Sequence, residues 1–597
     1  MCGIAGEIRF DDLPADLGSL ERASQEMRSR GPDGEGLVAQ GSLAMTHRRL
    51  KIIDLSEAAA QPMVDSQLGL TLVFNGCIYN YPALRGELEG LGHKFFSHGD
   101  SEVILKAYSQ WGPACVERFN GMFALVIHER DSGRLFVARD RLGIKPLYYS
   151  YQEGHYFRWA SRLQALLAYA DTDKDLDPVA LHHYFSFHAV VPPPHTLLKG
   201  IKKWPQGHRG YVEPHGQIKM ERYWNPPFET PDSLKDLSFS DWKQRLLNQL
   251  TKAVERRMVA DVPVGVLLSG GLDSSLIVGL LAQSGCPDLN TFSIGFESVK
   301  GEKGDEFEYS DIVAQEFSTR HHQLFIDSRR ALDTLGQVVA AQSEPMVSHD
   351  NIGFYLLSQE VARHVKVVQS GQGADEIFAG YHWYPPLMES QDPLSDYAQV
   401  FFDRNHQEMA EVLEDPWLGS DYSLDFVSNH FAQEGAERAV NKALRLDSLV
   451  MLTDDPVKRV DNMTMAWGLE ARVPFLDHEL VELAGQIPPE FKVKDGGKYI
   501  LKEVAREVIP PQVIDRPKGY FPVPALKYIQ GEYLSFVKDL LGSSSCRERG
   551  LVRPSYIETL LKSPESHITP LQGSKLWQVT LLEYWLQTHL DAGSSRR

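Results

Sequence analysis

The stretch Val262–Ser275, VPVGVLLSGGLDSS, constrains the fold of this chain more than any other. Val264–Leu268 has the length and apolar composition of a buried strand, and Leu276–Ala282 reads as an apolar helix. Between them runs Ser269-Gly270-Gly271-Leu272-Asp273-Ser274-Ser275. A strand, a glycine-rich turn and a helix N-terminus, in that order, make an anion site. Glycines let backbone N–H groups approach phosphate oxygens, and serines add hydroxyl donors. The loop holds no lysine, which separates it from the Walker A pattern. A serine-glycine cradle suits pyrophosphate as a leaving group, and Asp273 suits Mg²⁺ as an oxygen ligand. An ordinary turn would explain a lone Gly-Gly pair, but not SGGLDSS after a buried strand.

This motif resembles the pyrophosphate loop of the ATP pyrophosphatases, which adenylate a carboxylate or carbonyl oxygen. The chain beyond it alternates. Leu289–Phe296, His321–Ile326 and His364–Gln369 read as strands; Tyr309–Phe317 and Asn351–Arg363 read as helices. That alternation predicts a doubly wound parallel sheet with ligands at the carboxyl ends of its strands. Within TFSIGFE (Thr291–Glu297), Ile294 is a candidate to lie against an adenine ring, although a core strand needs the same residues. Ser370-Gly371-Gln372-Gly373-Ala374-Asp375-Glu376 follows the last of these strands. There Asp375 is positioned to complete a Mg²⁺ site with Asp273.

Composition narrows the function. With 597 residues, more than one domain is expected. A net charge of −19 argues against nucleic acid as a partner, because that role needs basic surface. It also argues against a membrane surface. No segment approaches the roughly 20 apolar residues of a membrane-spanning helix. MCGIAGEIRF lacks the charged and apolar regions of a secretory signal. Five scattered cysteines fit a reducing cytoplasm and exclude a disulfide framework or a CxxC zinc site.

One of those cysteines is Cys2. Removal of Met1 leaves it with a free α-amine, whose pKa of about 7.7–8 lets it act as base for the thiol of its own residue. Asn75-Gly76 ends an apolar run; it offers an amide and an unhindered N–H for an oxyanion, but by itself it is also the commonest hairpin signal. His47-Arg48-Arg49-Leu50 precedes a strand-like Lys51–Leu55. Taken with RGPD (Arg30–Asp33), NGCIYN (Asn75–Asn80), GDSE (Gly99–Glu102), GMFA (Gly121–Ala124) and RDRLGIKPLY (Arg139–Tyr148), these residues resemble the class II glutamine amidotransferases. The resemblance implies an N-terminal-nucleophile domain of two stacked sheets between helix layers (αββα). It implies that Cys2 attacks glutamine, Asn75 and Gly76 hold the oxyanion, Arg49 binds the α-carboxylate and Asp100 the α-amine. The family usually has glutamate where Cys77 stands.

The second half resembles the asparagine synthetase domain, through LEARVPFLDH (Leu469–His478), Lys498–Lys502 and DRPKG (Asp515–Gly519) as well as the two loops above. The division expected is 1–225 for the glutaminase domain and 240–597 for an ATP-pyrophosphatase domain of adenine nucleotide alpha hydrolase-like fold, with a linker around Pro231. The resemblance implies contacts to ATP from Leu268, Ile294, Ser370 and Gly371 beside Ser269, Gly270, Gly271 and Ser274. It implies that Lys518 stabilises charge on the α-phosphate, and that ammonia crosses an internal tunnel. A homodimer is the family habit. Gln372 stands where asparagine synthetases usually carry an acid associated with amination of the acyl-adenylate. NGCIYN together with SGQGADEIFAGY looks most like the N-acetylglutaminylglutamine amidotransferases, which amidate a dipeptide carboxylate to make an osmoprotectant. Aspartate, the acceptor of a plain asparagine synthetase, is the alternative. A cyclising, β-lactam-forming relative is a third reading, and Cys2 counts against it. Trp577 and Trp585 in the tail read as core.

Overall fold

The computed structural model describes residues 2–296, 305–326, 328–348, 350–516 and 529–591. Its N-terminal part holds two antiparallel six-stranded sheets. One carries Gly3–Arg9 between Tyr156–Ala160 and Leu43–Arg49; the other carries Leu70–Ile78 beside Gly121–Glu129. Strand alternation sends Ile4, Ile8, Met45, Val73, Ala124, Val126 and Trp159 into one buried cluster between the sheets. The opposite face of the second sheet, with Leu72, Phe74 and Leu125, is covered by the helices Tyr81–Gly90 and Asp100–Trp111 through Leu84, Leu88 and Ile104. The outer face of the first, with Ala5 and Ala44, is covered through Leu20, Ala23 and Met27 of the Leu17–Glu26 helix region. Helices outside, two sheets inside: this is the αββα arrangement.

The linker ends at Ser238, which caps the helix Phe239–Arg256 in a reciprocal pair with Asp241. Trp242, Leu246, Leu250, Ala253 and Val254 form its buried stripe. It leads into a five-stranded parallel sheet in the order Arg320–Ile326, Asn290–Phe296, Val264–Leu267, Val367–Gln369, Glu470–Arg472. The chain winds outward in one direction from Val264–Leu267, then returns to wind in the other. The strand order therefore reverses beside Val264–Leu267, where a doubly wound sheet binds its ligand.

Two local expectations differ. Lys51–Leu55 forms no strand; Ile52 and Asp54 are instead tied by Asp261 across to the second half. The helix after the glycine loop begins at Leu272 rather than Leu276, so Asp273 and Ser274 belong to its first turn. Trp577 and Trp585 are buried in the core. All five cysteines are free. No helix among the described residues is long and apolar enough to cross a membrane.

The seam between the halves is charged and buried. Arg30 pairs with Asp461 at 2.7 Å, and Lys145 approaches the same carboxylate at 3.5 Å. Lys203 reaches Asp454 at 2.6 Å and Glu344 at 2.9 Å. All six side chains are buried.

Candidate active sites

Asn75 and Gly76 lie inside a strand, not at a hairpin. The strand Leu70–Ile78 runs through them, with Asn75 opposite Ala124 and Gly76 opposite Phe123. A Cβ on Gly76 would fall 2.1 Å from the Met122 carbonyl oxygen, so the cross-strand approach itself demands glycine. Alternation turns Asn75 to the same side as Val73, toward the first sheet. There the Cys2 nitrogen donates to Asn75 Oδ1 at 3.0 Å. Asn75 Nδ2 faces Ser161 Oγ at 3.4 Å, and that hydroxyl also accepts from the Ile4 N–H.

A small pocket of about 40 Å³ opens on Cys2. Arg49 reaches it from the strand Leu43–Arg49, its guanidinium donating to the carbonyls of Ser56 at 2.8 Å and Asp54 at 2.5 Å. Asp100 opens the helix Asp100–Trp111 and accepts from the Ile78 N–H at 3.0 Å. Burial pushes its carboxyl up to about 6, with the charge of Glu470 acting in the same direction. Burial also raises the Cys2 thiol, against the pull of the Leu50 backbone and the Arg49 charge. Arg49, Asp100 and Cys2 thus share one pocket, with a cation and a carboxyl both present.

Two lining residues come from the other half of the chain, and no role was read for either from the sequence. Glu470 and Arg472 sit two apart on the edge strand of the parallel sheet. Arg472 donates to Glu470 at 2.7 Å and to the carbonyls of Arg257 and Val259 at 2.8 Å; its remaining nitrogen faces Cys77 Sγ at 3.8 Å. Burial acts to raise Glu470, but the neighbouring charges of Arg472 and Lys145 pull the other way and the carboxylate is held below its ordinary range. Cys77 is fully buried and its thiol is driven upward, so it is no thiolate. The signal available in the sequence was the i, i+2 spacing of opposite charges on a short strand, which puts both on one face.

The second centre is a cleft of about 690 Å³ at the carboxyl ends of the parallel strands. Gly270 has φ +73°, and a Cβ there would stand 2.6 Å from the Ser310 nitrogen. Ser274 Oγ takes the Ser269 N–H at 3.2 Å and lies 3.1 Å from Ser269 Oγ, which fixes the loop before any ligand arrives. Asp273 and Asp375 converge: Lys498 Nζ lies 2.7 Å from one and 2.9 Å from the other. The two carboxylates raise the lysine's pKa against its burial. Lys498 adopts φ +55° directly after Gly496-Gly497, and a Cβ on Gly380 would press on both Asp375 and the lysine stem. The glycine pair ahead of a lysine was the sequence signal for this residue, which was quoted but given no role.

Ser269, Gly271, Asp273 and Asp375 line the cleft together with Arg516, itself paired with Glu306. Gly371 packs under Asp273, where a Cβ would meet the Asp273 Cβ at 3.0 Å. Leu268, Ile294 and Ser370 are buried at strand ends behind the cleft, outside its described lining, as is the half-buried Gln372. Lys518 lies outside the described residues. Continuing along the same segment, Glu376 and Tyr381 line a separate cavity of about 200 Å³ with Phe187, Trp383, Phe401 and Arg459. The Tyr381 hydroxyl donates to Glu376 at 2.6 Å. Burial and the neighbouring Asp375 charge push Glu376 up to about 7.

Comparison with known proteins follows this division. A family described as asparagine synthase matches residues 245–587, and one described as glutamine amidotransferase domain matches residues 1–224. The glutamine-hydrolysing asparagine synthetase 3 of Bacillus subtilis is 31% identical over 548 residues, covering 87% of each chain. Asparagine synthetase 1 of the same organism is 30% identical over 631 residues, covering 99% of this chain and 97% of its own. Asparagine synthetase B of Escherichia coli is 29% identical over 563 residues, covering 90% and 86%.

Proposed function

The chain belongs to the asparagine synthase family, with a glutamine amidotransferase domain ahead of the synthase domain, and from that premise we propose that its acceptor is the C-terminal carboxylate of N-acetylglutaminylglutamine. It is a glutamine-hydrolysing amidotransferase of the asparagine synthetase type. In our reading the domains 1–225 and 240–597 divide the work. The second turns carboxylate and ATP into acyl-AMP and pyrophosphate. The first turns glutamine and water into glutamate and ammonia, water releasing the glutamyl group from Cys2, and the ammonia then displaces AMP to leave a primary amide.

In the first domain Cys2 Sγ attacks the glutamine amide carbon, and the α-amine takes the thiol proton and passes it to the departing ammonia. Asn75 Oδ1 already holds that nitrogen; its amide, with the Gly76 N–H, receives the oxyanion. Arg49 and Asp100 bind the α-carboxylate and α-amine. In the second domain Ser269, Gly270, Gly271 and Ser274 cradle the pyrophosphate, and Leu268, Ile294, Ser370 and Gly371 shape the nucleotide site. Asp273 and Asp375 are gathered about one positive charge, the arrangement a hard cation needs. They would hold Mg²⁺, which when bound offsets charge on the phosphates. Lys498, and Lys518 in our reading, carry the remaining positive charge, and Gln372 borders the acceptor.

The observation that carries the dipeptide is the aromatic cavity beside Glu376. Aspartate has two charged α-groups to satisfy. Apart from its terminal carboxylate, an acetylated Gln-Gln is uncharged; the rings Phe187, Tyr381, Trp383 and Phe401 suit its amides and methylenes, and Arg459, set among the carboxyls of Glu376, Asp447 and Asp455, is the cation placed for its carboxylate. Cys77 and Gln372, neutral where the usual pattern of the family that the sequence resembles has acids, support the same reading. The second reading, aspartate as acceptor, is favoured by the names of the relatives. Pyrophosphate release with ATP, Mg²⁺ and glutamine, measured with each acceptor in turn, decides between them. Release with the dipeptide alone is expected; release with aspartate alone makes the chain an asparagine synthetase.

A further inference from the structure

We propose that His182, His406 and Asp421 form a binding site for a divalent transition-metal ion, with Zn²⁺ the best match, at the seam between the two halves. None of the three lines the Cys2 pocket, the nucleotide cleft or the aromatic cavity.

The three ligands come from three separate elements. His182 sits within the helix Pro178–Ser186, near the end of the N-terminal half. His406 is the first residue of the helix His406–Val412, and Asp421 caps the helix Tyr422–Phe431. Their donor atoms all lie within 4.8 Å of one another. His182 Nε2 is 3.0 Å from His406 Nδ1 and 3.8 Å from Asp421 Oδ1. Tetrahedral Zn²⁺, with bonds to nitrogen of about 2.0–2.1 Å, sets its ligand atoms about 3.3 Å apart. The observed spacings straddle that value, so small side-chain shifts complete the geometry.

The surroundings are those of a ligand set. His182 Nδ1 is held by Ser423 Oγ at 2.8 Å, which fixes the ring and aims Nε2 at the cluster. A metal-bound histidine is oriented through its second nitrogen in the same way. Tyr422 packs edge-on against the His182 ring, and the two imidazoles stack at 5.3 Å. Asp421 is 30% exposed, which leaves an entry path and a fourth position for water. Two imidazoles and one carboxylate favour Zn²⁺ over Mg²⁺, which prefers oxygen alone. A plain imidazole–imidazole hydrogen bond accounts for the 3.0 Å contact without an ion, so metal binding itself is the discriminating measurement.

The full chain, stripped with a chelator, is titrated with Co²⁺ and then with Zn²⁺. One equivalent of Co²⁺ is expected to bind with the visible absorption of a low-coordinate site, to be displaced by Zn²⁺, and to raise the melting temperature. His406→Gln should weaken binding by at least about tenfold, and Asp421→Asn by about tenfold. Asparagine caps a helix as well as aspartate does, so the second variant keeps its fold while losing the ligand charge; unchanged glutamine hydrolysis in both variants verifies this. Wild type that binds no more Co²⁺ than His406→Gln, or only with the spectrum of the hydrated ion, overturns the proposal.

Discussion

At the scale of the residue, the two centres depend on groups whose charge is set by a few neighbours. Cys2→Ala removes the sulfur proposed to attack glutamine and touches nothing in the nucleotide cleft. Glutamine-dependent amide formation should fall by about a thousandfold or more, while turnover with free ammonia survives. Glutamine use by this variant would show that Cys2 is not the nucleophile. Asp100 gives a pH dependence with a definite sign. Its carboxyl is raised to about 6, so it is ionised above that pH and can pair with an ammonium, and protonated below it. The KM for glutamine should therefore climb by roughly tenfold per unit as pH falls below about 6. A KM that stays flat from pH 7 to pH 5 would remove Asp100 from the glutamine site. Lys498→Met leaves Asp273 and Asp375 facing each other without their shared ammonium. Pyrophosphate release should drop by about a hundredfold or more, and glutamine hydrolysis should be unaffected.

At the scale of the element, the loops matter through what their backbone allows. Gly380 lets the Lys498 stem pass Asp375; a methyl group there would sit 2.2 Å from the Asp375 carboxylate and 2.5 Å from Lys498 Cε. Gly380→Ala should cost about 1–3 kcal/mol in overpacking and separate the three charges without removing any of them. Slower adenylation at unchanged glutaminase rate, with a modest loss in melting temperature, is the expected pattern. Full adenylation activity would mean that the cluster needs no fixed spacing. This is also the scale at which the sequence was most and least legible. Val264–Leu267 and the glycine loop could be read because a short apolar run and a positive-φ glycine are local facts. The same holds for the strand and helix alternation up to Gln369. Asn75-Gly76 misleads, because a hairpin dipeptide and a close-approach glycine within a strand look alike until Met122 is seen opposite. Lys51–Leu55 has strand composition, but its neighbours are on the far half of the chain. Lys498, Glu470 and Arg472 are given no role by the sequence for a related reason: a glycine pair before a lysine, or opposite charges two apart on a strand, mark a conformation or a face, and each residue acquires its partners only through tertiary contact.

At the scale of the whole molecule, the two halves are joined through buried ion pairs rather than a purely apolar seam. Arg30→Met leaves Asp461 with Lys145, at 3.5 Å, as its remaining cation among the described residues. Orphaning half of a buried pair costs about 3–5 kcal/mol, and the surviving lysine argues for the lower end. The variant should melt earlier and should release more glutamate than amide, because ammonia escapes at a loosened seam. Equal yields of glutamate and amide would show that the pair stabilises the docking without sealing it. One residue touches the Cys2 pocket with its side chain and the start of the Ser370–Glu376 loop with its backbone. The Arg472 guanidinium faces Cys77 in the glutamine pocket, while its own carbonyl accepts the Ser370 N–H at 2.9 Å, at the head of the second nucleotide loop. Any shift in that strand made on behalf of one ligand is felt by the other. Thermodynamics then imposes reciprocity: the factor by which bound nucleotide changes the affinity for glutamine must equal the factor by which glutamine changes the affinity for nucleotide. The constraint falls on the two affinities and not on the two rates: each centre can turn over alone, yet neither can be made to hold its ligand more tightly without the other gaining by the same factor.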